Sequence, residues 1–475
     1  MIFGIDKVPK EQPAFISEEG NCISYAELKE EILKVSEALE AGRYENKKTL
    51  VFCLCKNVPE AAAGYLGILE QGSVSLLLGE NLDRAQLEML DKTYRPSYYW
   101  RPVREGERPV LKIGEYGLFE TGNPPVEMNS SLALLLSSSG STGSPKLIRL
   151  SRKNLEANAS SIAEYLELDE NERPMTVLPM QYTFGLSVIN SHLTAGACII
   201  MTTKSIVQQE FWDLLKQYKG TSLAGVPYTY EILKRIHFME REGIDSLTSL
   251  LQAGGHLPVE LQELYGRWAM ANGLRFYVMY GQTEATARMS YLPWQDVLRK
   301  IGTIGVAIPG GRFELLGADG QIIQETDTAG ELIYYGDNVS LGYASEPEDL
   351  KKEDERRGRL ATGDVASVDK DGYYTIRGRL NRFVKLYGVR VGLDECENIL
   401  KGLDVDAEFA CTGTDDVLYI YTDSERAGEA AAYLAGKLKL NIRGFEAVYV
   451  SQIPKTENGK KDYRALKQLN LKQDQ

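Results

Sequence analysis

The stretch that decides the fold is Leu134-Leu-Leu-Ser-Ser-Ser-Gly-Ser-Thr-Gly-Ser-Pro-Lys146. An apolar run typical of a buried strand passes directly into a loop of serines, a threonine and glycines that ends in Pro145 and Lys146. Glycines allow backbone N–H groups to turn toward one point, hydroxyls add donors, and the lysine adds positive charge. The loop is therefore predicted to bind polyphosphate. It is not a Walker A loop, because Pro145 stands where that motif has glycine before lysine.

The alternative interpretation of this loop is a flexible serine and glycine linker. A linker is disfavoured, because the loop lies between a buried strand and a helix predicted to begin near Ser151. The sequence also predicts a strand over 49–55, a helix over 58–69 and a strand over 74–78. This β-α-β alternation is typical of parallel sheets with helices on their faces.

Residue composition and predicted secondary structure change along the chain and indicate domains of unequal size. Glycines and prolines punctuate short β-prone runs over 300–345, which predicts a small β-rich subdomain. The last residues, 381–475, mix helical patterns with strands and are predicted to form a separate unit. The predicted fold class is α/β: a large N-terminal domain (1–380) of α/β subdomains with the β-rich subdomain, followed by a small α+β C-terminal domain (381–475).

Composition excludes several classes of function. The 475 residues include 54 Lys and Arg against 67 Asp and Glu, which gives a net charge of −13. A protein of this net charge does not attract nucleic acid or anionic lipid through its overall electrostatic field. With three histidines, a multi-histidine metal site is nearly excluded. The six cysteines are scattered and are interpreted as reduced thiols. Without a signal peptide or an 18-residue apolar run, we expect a cytoplasmic protein with no membrane or nucleic-acid partner.

Two further stretches carry residues suited to binding a nucleotide. In 276–284, a predicted strand ends in Tyr280-Gly-Gln-Thr283-Glu284. The tyrosine ring could stack on a heterocycle, the threonine could bind a phosphate, and the glutamate could hold Mg²⁺. Asp364, predicted at a strand–turn junction, is suited to hydrogen-bond both hydroxyls of a ribose.

Two basic segments follow. No acidic residue lies between Asp371 and Asp394, whereas five basic residues do. This island is predicted to receive an anionic ligand; the alternative is an edge strand that carries basic side chains. Near the C-terminus, Gly459 beside Lys460 would let the lysine ammonium extend into a cleft. The alternative there is a solvated basic loop.

Joined in this order, the segments resemble the acyl-adenylate-forming enzymes: acyl-CoA synthetases, adenylation domains of nonribosomal peptide synthetases, and luciferases. The resemblance extends from the helix start at Ser24-Tyr-Ala-Glu27, which has the spacing of a capping box, to Lys460. It implies that ATP and Mg²⁺ activate a small carboxylic acid as acyl-AMP. It further implies that a thiol of CoA, or of the phosphopantetheine of a separate acyl carrier protein, then takes the acyl group.

The resemblance also implies roles for individual residues. The β- and γ-phosphates would be held by Ser138, Ser139, Gly140, Ser141, Thr142, Gly143 and Lys146. Tyr280 would stack on adenine, Thr283 would contact the α-phosphate, and Glu284 would ligate Mg²⁺. Asp364 would bind the ribose, with Arg379 beside it. Lys460 matches the catalytic lysine, so the expected catalytic residues are Lys460, Glu284 and Thr283.

By the same resemblance, the C-terminal domain is mobile and rotates at a hinge, here Asn381, to present a thiol-entry face around Gly388. The acyl pocket would be lined by Tyr182, Phe184, Val226, Gly254, Gly255 and His256. His256 is interpreted either as a polar contact for the substrate or as a packing residue. An α-amino acid substrate is disfavoured, because no acidic residue lies between Arg173 and Gln209 to pair with an ammonium group.

Two other functions are compatible with the sequence. One is a nucleotide-binding protein that has lost catalysis, which the presence of Lys460 and Glu284 disfavours. The other is an adenylating enzyme that passes the acyl group to a non-thiol acceptor, for which the sequence offers no support.

Overall fold

The computed structural model describes residues 1–42, 47–137, 146–380, 382–387, 389–414, 417–456 and 459–473. Contacts divide the chain into two compact units. Unit 1 comprises Met1–Arg312 with Tyr334–Leu360, and unit 2 comprises Phe313–Ile333 with Ala361–Gln475. The contacts thus group the middle of the predicted β-rich segment, residues 313–333, and residues 361–380 with the C-terminal residues. The domain boundary at 380/381 stays a prediction.

Helices and strands alternate through most of unit 1. The helices described are α1 (Tyr25–Ala41), α2 (Pro59–Gln71), α3 (Arg84–Tyr94), α4 (Arg152–Tyr165), α5 (Thr183–Thr194), α6 (Gln209–Tyr218), α7 (Pro227–Arg235), α8 (Val259–Ala271), α9 (Leu393–Leu400), α10 (Ala427–Leu438) and α11 (Tyr463–Gln473). Within the described residues, no helix is long and apolar enough to cross a membrane.

The strands of the first half are β1 (Pro13–Ile16), β2 (Cys22–Ser24), β3 (Leu50–Cys55), β4 (Val74–Gly79), β5 (Tyr98–Pro102), β6 (Leu111–Ile113), β7 (Tyr116–Glu120), β8 (Leu132–Ser137), β9 (Leu147–Ser151), β10 (Pro174–Met175), β11 (Ile199–Ile200), β12 (Ser222–Gly225) and β13 (Ser249–Gln252). Those of the second half are β14 (Arg275–Tyr280), β15 (Ser290–Leu292), β16 (Val306–Ala307), β17 (Arg312–Leu316), β18 (Gly330–Tyr335), β19 (Gly342–Ala344), β20 (Arg359–Val368), β21 (Tyr374–Arg379), β22 (Phe383–Leu386), β23 (Val389–Gly392), β24 (Phe409–Gly413), β25 (Leu418–Thr422) and β26 (Phe445–Tyr449).

Two large sheets organise unit 1. One has the order β16-β15-β14-β13-β12-β10-β11-β1-β2, and the other has the order β19-β9-β8-β4-β3-β5-β7-β6. Their central strands are parallel, as in the pairs β3–β4, β4–β8 and β13–β14. The predicted strand, helix and strand over 49–78 are confirmed as β3, α2 and β4. Since parallel strands need a crossover, α2 lies between β3 and β4 in the chain.

Local sequence signals set the helix starts. Ser24 Oγ accepts a hydrogen bond from the Glu27 N–H, and the Glu27 carboxylate accepts one from the Ser24 N–H, which confirms the predicted capping box. Ser151 is the N-cap of α4, so the helix begins where predicted, although β9 separates it from the loop predicted to bind phosphate.

Unit 2 consists of small sheets and three helices in the described residues. Most of the four-stranded sheet β17-β18-β20-β21 lies in this unit, which also holds the pair β22-β23 and the sheet β24-β25-β26. Helices α9 and α10 cover the last sheet through a core of small and aliphatic side chains, which includes Cys396, Leu400, Ile420, Ala430 and Leu434. The predicted α+β character of this part of the chain is thereby observed.

Two glycines of α2 permit its close packing in unit 1. A Cβ added at Gly64 would lie 2.0 Å from the Trp100 indole nitrogen. One added at Gly67 would lie 2.5 Å from the Cβ of Val35 in α1 and 2.9 Å from the Ile32 carbonyl oxygen. Helix α2 therefore rests directly on the neighbouring backbone.

We predict that Gly67→Ala lowers the free energy of unfolding by about 1–3 kcal/mol, because stiff, buried Val35 cannot turn away from the added methyl group. Urea unfolding measures this change. The control is Gly428→Ala in α10, whose added Cβ meets no atom within 4 Å and is expected to leave stability equal or slightly raised. Wild-type stability in Gly67→Ala would contradict the packing argument.

Candidate functional site

The turn between β14 and β15 carries three of the predicted site residues. Strand β14 ends at Tyr280, which pairs with Ser290 of β15, and Thr283 and Glu284 lie in the connection. A Cβ at Gly281 would lie 1.6 Å from the carbonyl oxygen of Ala287, so the two arms of the turn cross with no room for a side chain. Glycine is therefore obligatory at this position.

Glu284 is held by a residue that the sequence did not indicate. The Tyr343 hydroxyl donates a hydrogen bond of 2.8 Å to Glu284 Oε1. Lys146 Nζ lies 5.7 Å from the centroid of the Tyr343 ring, and the Arg356 guanidinium carbon lies 4.7 Å from it. Burial and the neighbouring Glu284 carboxylate raise the pKa of Tyr343, so its hydroxyl stays protonated and can donate. Tyr343 thus joins the predicted magnesium ligand to the predicted phosphate-binding lysine.

Thr283 connects the turn to the predicted acyl pocket. The Thr183 hydroxyl, at the start of α5, donates to the Thr283 hydroxyl over 2.9 Å. Tyr182 precedes that helix as its N-cap residue, and Phe184 lies in its first turn. The predicted nucleotide-binding turn and the predicted acyl pocket are therefore one hydrogen bond apart.

Four of the predicted pocket residues lie together. Phe184 and Val226 are buried in one apolar cluster, and Tyr182 packs against it. A Cβ at Gly254 would lie 2.6 Å from the Tyr182 hydroxyl and 3.0 Å from Val226 Cγ1, so both side chains pack directly against this glycine and a larger residue would clash with them. Burial raises the pKa of Tyr182 to about 12, which keeps it neutral.

The other two predicted pocket residues, Gly255 and His256, are exposed. A Cβ at Gly255 would meet the Pro227 ring at 3.1 Å. His256 is therefore not a buried packing residue, and its contact with substrate stays a prediction.

Asp364 and Arg379 form a pair in unit 2. They are register partners in β20 and β21, and Arg379 Nε donates to Asp364 Oδ1 over 2.9 Å. The Asp364 side chain is buried, whereas that of Arg379 is 60% exposed. The aspartate lies inside strand β20 and not at a strand end as predicted.

Lys460 extends from a short hairpin in unit 2. Lys455 and Lys461 form an antiparallel bridge, and the Thr456 N–H donates to the Lys460 carbonyl oxygen over 2.7 Å. Gly459 adopts a φ of 71°, which the tight turn requires. Lys460 itself is exposed, while its backbone is fixed on both sides.

A buried ionic cluster lies beneath this hairpin, and sequence reasoning missed it. Glu397 of α9 accepts hydrogen bonds from Arg382 over 2.8 Å, from Lys461 over 2.7 Å and from the Cys411 N–H over 2.8 Å. Arg382 also pairs with Asp394 and donates to the Tyr463 hydroxyl. Burial alone would raise the pKa of Glu397, but the cations of Lys461 and Arg382 outweigh it and lower that pKa.

This cluster corrects one interpretation of the basic island. Arg382 was predicted to help receive an anionic ligand, but its side chain is used inside unit 2. The side chain of Arg379 remains largely exposed. Glu397 thus anchors Arg382, the residue after the predicted hinge, and Lys461, the residue after the predicted catalytic lysine.

Several predicted positions lie outside the described residues. They are the loop residues Ser138, Ser139, Gly140, Ser141, Thr142 and Gly143, the hinge residue Asn381, and Gly388 at the thiol-entry face.

The residues present fit a magnesium ion that arrives with a nucleotide. In the described parts of the chain, no group of three or more His, Cys, Asp or Glu side chains could hold a metal ion. Mg²⁺ commonly takes one or two carboxylates and completes its shell with phosphates and water. A single carboxylate held by a neutral hydroxyl, as at Glu284, suits that arrangement.

Comparison with known proteins decides the family. The model of the family described as AMP-binding enzyme matches residues 5–344. The chain belongs to this family. A luciferin 4-monooxygenase of Luciola mingrelica is 27% identical over 297 residues, 61% of this chain and 53% of that protein, so the match spans about half of this relative. A 2-succinylbenzoate–CoA ligase of Bacillus cereus is 24% identical over 94% of both chains.

Solved structures show the same fold. The o-succinylbenzoate CoA synthetase (MenE) of Bacillus subtilis, in complex with its acyl-adenylate intermediate, has a TM-score of 0.77 at 20% identity. The match covers 98% of this chain and 97% of that one. The predicted α/β fold with a large N-terminal and a smaller C-terminal domain is confirmed.

We predict that Tyr343→Phe raises the Mg²⁺ concentration needed for half-maximal ATP binding by about tenfold, because the Glu284 carboxylate loses the hydroxyl that orients it. Titration calorimetry at varied Mg²⁺ measures the change. Tyr99→Phe removes another hydroxyl–carboxylate bond, to Asp91 over 2.6 Å, and is expected to leave the Mg²⁺ dependence unchanged. An unaltered Mg²⁺ dependence in Tyr343→Phe would show that the bond does not position Glu284.

We predict that Glu397→Gln destabilises unit 2 by about 2–3 kcal/mol, because the half-buried Lys461 and Arg382 lose a buried carboxylate partner, although Arg382 keeps Asp394. Denaturant unfolding, followed by near-UV circular dichroism, measures this loss. The control is Glu395→Gln, an exposed position on the same helix, for which a change below about 0.5 kcal/mol is expected.

The same substitution tests the pH dependence. The pKa of Glu397 in the folded state lies below its value in the unfolded state, which is near 4.3. The stabilisation of the fold by the ionised carboxylate is therefore complete above the unfolded-state pKa and is lost as the pH falls through the folded-state pKa. The stability difference between wild type and Glu397→Gln should therefore shrink below about pH 4. A constant difference from pH 7 to pH 3 would contradict this assignment.

Proposed function

We propose that this chain is an ATP-dependent carboxylate–AMP ligase that forms an acyl-adenylate and then a thioester on CoA or on the phosphopantetheine of a carrier protein. The observation that carries the proposal is the hydrogen bond between Thr183 and Thr283. It joins the turn with the predicted nucleotide residues to the start of α5, beside the apolar cluster of Phe184 and Val226, in a chain that belongs to the AMP-binding enzymes.

The first half-reaction needs charge neutralisation above all. A carboxylate attacks the α-phosphorus of ATP, so one anion approaches another, and positioning with electrostatic stabilisation supplies most of the rate enhancement. Lys146 and Lys460 would provide positive charge at the phosphates and at the attacking carboxylate. Glu284 would hold Mg²⁺, which neutralises phosphate charge when bound.

The remaining roles follow the same assignment. Residues 138–143 would hold the terminal phosphates, Tyr280 would stack on adenine, and Thr283 would contact the α-phosphate. The buried Asp364, oriented by Arg379, would accept hydrogen bonds from the ribose hydroxyls. Asn381 would be the hinge, with Gly388 at the face where the thiol enters.

The acyl group would occupy the apolar pocket. Tyr182, Phe184, Val226 and Gly254 would line it, with Gly255 and His256 at its exposed margin.

The cofactors and the acceptor rest on the names of relatives. Structures of the B. subtilis synthetase include one in complex with ATP and a magnesium ion. Relatives named as CoA ligases, such as the oxalate–CoA ligase of Arabidopsis thaliana at 30% identity over 273 residues, favour CoA as the acceptor. A carrier protein is the second candidate, because residues 455–475 hold six basic and three acidic side chains, a balance that suits an acidic partner.

We predict that the wild type catalyses carboxylate-dependent exchange between ATP and labelled pyrophosphate, and that Lys460→Ala lowers this exchange by several orders of magnitude. Lys467→Ala, at an exposed position on α11, is the control and is expected to retain full exchange. Mass spectrometry after addition of CoA or a holo-carrier protein identifies the acceptor.

Three outcomes separate the alternatives. Full exchange in Lys460→Ala would contradict the proposed mechanism. Nucleotide binding without exchange for any acid would favour a binding protein that has lost catalysis. Exchange without thioester formation would favour a non-thiol acceptor.

A further inference from the structure

Arg288 is a buried cation with unused hydrogen-bond donors. Its side chain is 1% exposed and lies four residues beyond Glu284 in the turn between β14 and β15. Nη1 donates to the Tyr165 hydroxyl over 3.2 Å and contacts the Met279 sulfur at 3.5 Å. Nε and Nη2 have no hydrogen-bond partner, and in the described parts of the chain no carboxylate forms an ion pair with it.

An unpaired buried guanidinium is costly. Removing a charged group from water costs several kcal/mol unless an opposite charge and hydrogen bonds compensate for it. Arg149 of the same unit shows such compensation. It is also fully buried, but it pairs with Glu355 over 2.6 Å and donates to the carbonyl oxygens of Leu341 and Tyr343. Arg288 therefore lacks what a purely structural buried arginine requires.

The position of Arg288 connects it with the acyl pocket. Its guanidinium carbon lies 4.9 Å from the centroid of the Phe184 ring. Phe184, Tyr165 and Met279 belong to the apolar cluster that also contains Val226. The cation thus lies against the apolar cluster that contains two of the residues predicted to line the acyl pocket, Phe184 and Val226.

Neighbouring polar groups do not supply the missing negative charge. Burial, assisted by the charge of Arg288, lowers the pKa of His192 to about 4, so this imidazole is neutral at pH 7. The Tyr165 hydroxyl also stays neutral, because burial raises its pKa. Among the described residues, no carboxylate compensates the charge of Arg288, and the face of the Phe184 ring supplies only a weaker cation–π contact.

We infer that Arg288 binds a second carboxylate on the substrate, so that the acid activated by this chain is a dicarboxylic acid. This inference rests on the proposed function. One carboxylate reacts with ATP, while the other pairs with Nε and Nη2 of Arg288 inside the pocket. A planar guanidinium with two adjacent donors matches a carboxylate in bidentate geometry. The same cation disfavours an α-amino acid, whose ammonium group it would repel.

Matched pairs of acids test the inference. Pyrophosphate exchange is measured with succinate against butyrate, glutarate against pentanoate, adipate against hexanoate, and terephthalate against 4-methylbenzoate. In each pair a methyl group replaces one carboxylate. For at least one pair, the wild type is expected to show a kcat/KM about a hundredfold higher with the dicarboxylate, since a monocarboxylate leaves the buried donors unpaired. In Arg288→Met that ratio should fall about a hundredfold, and Arg288→Lys should restore part of it.

Thermal unfolding supplies a readout that does not depend on activity. The preferred dicarboxylate should raise the Tm of the wild type but not that of Arg288→Met. Without ligand, Arg288→Met should be as stable as the wild type or more stable, because an uncompensated charge is removed. The matched control Arg149→Met should lower the Tm and leave the dicarboxylate preference unchanged.

Three results would overturn the inference. Preferential exchange with the monocarboxylates would refute it and leave the proposed function intact. An unchanged preference in Arg288→Met, or a loss of ligand-free stability equal to that of Arg149→Met, would make Arg288 a structural residue. Absence of exchange with every acid would contradict the proposed function itself.

Discussion

The site in unit 1 depends on the crossing of two backbone segments at Gly281. Within the nine residues between β14 and β15, the chain must present Thr283, Glu284 and Arg288 in different directions, and the Ala287 carbonyl leaves no space for a side chain at Gly281. Thr286 and Ala287 adopt positive φ angles of 60° and 132°, which carry a conformational cost for residues with a Cβ.

The buried amides of Asn158 and Asn338 hold that strained turn, and Asn158 Nδ2 donates to the Arg288 carbonyl oxygen over 2.9 Å. Asn338 donates from Nδ2 to the carbonyl oxygens of Ala285, over 2.8 Å, and Arg288, over 3.1 Å. The backbone carbonyl oxygen of Asn338 accepts a hydrogen bond from the Thr286 hydroxyl. Because several hydrogen bonds fix the turn, the side chains of Glu284 and Arg288 leave it in defined directions, one toward Tyr343 and the other toward the Phe184 ring.

Local features could be predicted from the sequence, whereas long-range pairings could not. Strand β3, helix α2 and the capping box at Ser24 follow from short patterns, and so does the grouping of Tyr280, Thr283 and Glu284 in one turn. Tyr343 is 59 residues from Glu284, and Lys461 is 64 residues from Glu397, so only the folded chain brings each pair together. The wrong prediction that Arg382 would help to bind an anionic ligand has the same cause. Its acidic partners, Asp394 and Glu397, follow the acid-free stretch in the sequence, and helix α9 brings them back to Arg382 in the fold.

The ion pair of Lys461 explains why two adjacent lysines lie in different surroundings. Consecutive side chains of an extended segment point to opposite sides. Lys461 is bound to Glu397 in the interior of unit 2, and the Lys455–Lys461 bridge keeps the segment extended at that residue. Lys460 lies on the opposite side of the segment and is exposed, although nothing in the dipeptide itself distinguishes the two residues. The ion pair of Lys461 thus leaves Lys460 exposed, as its predicted catalytic role requires.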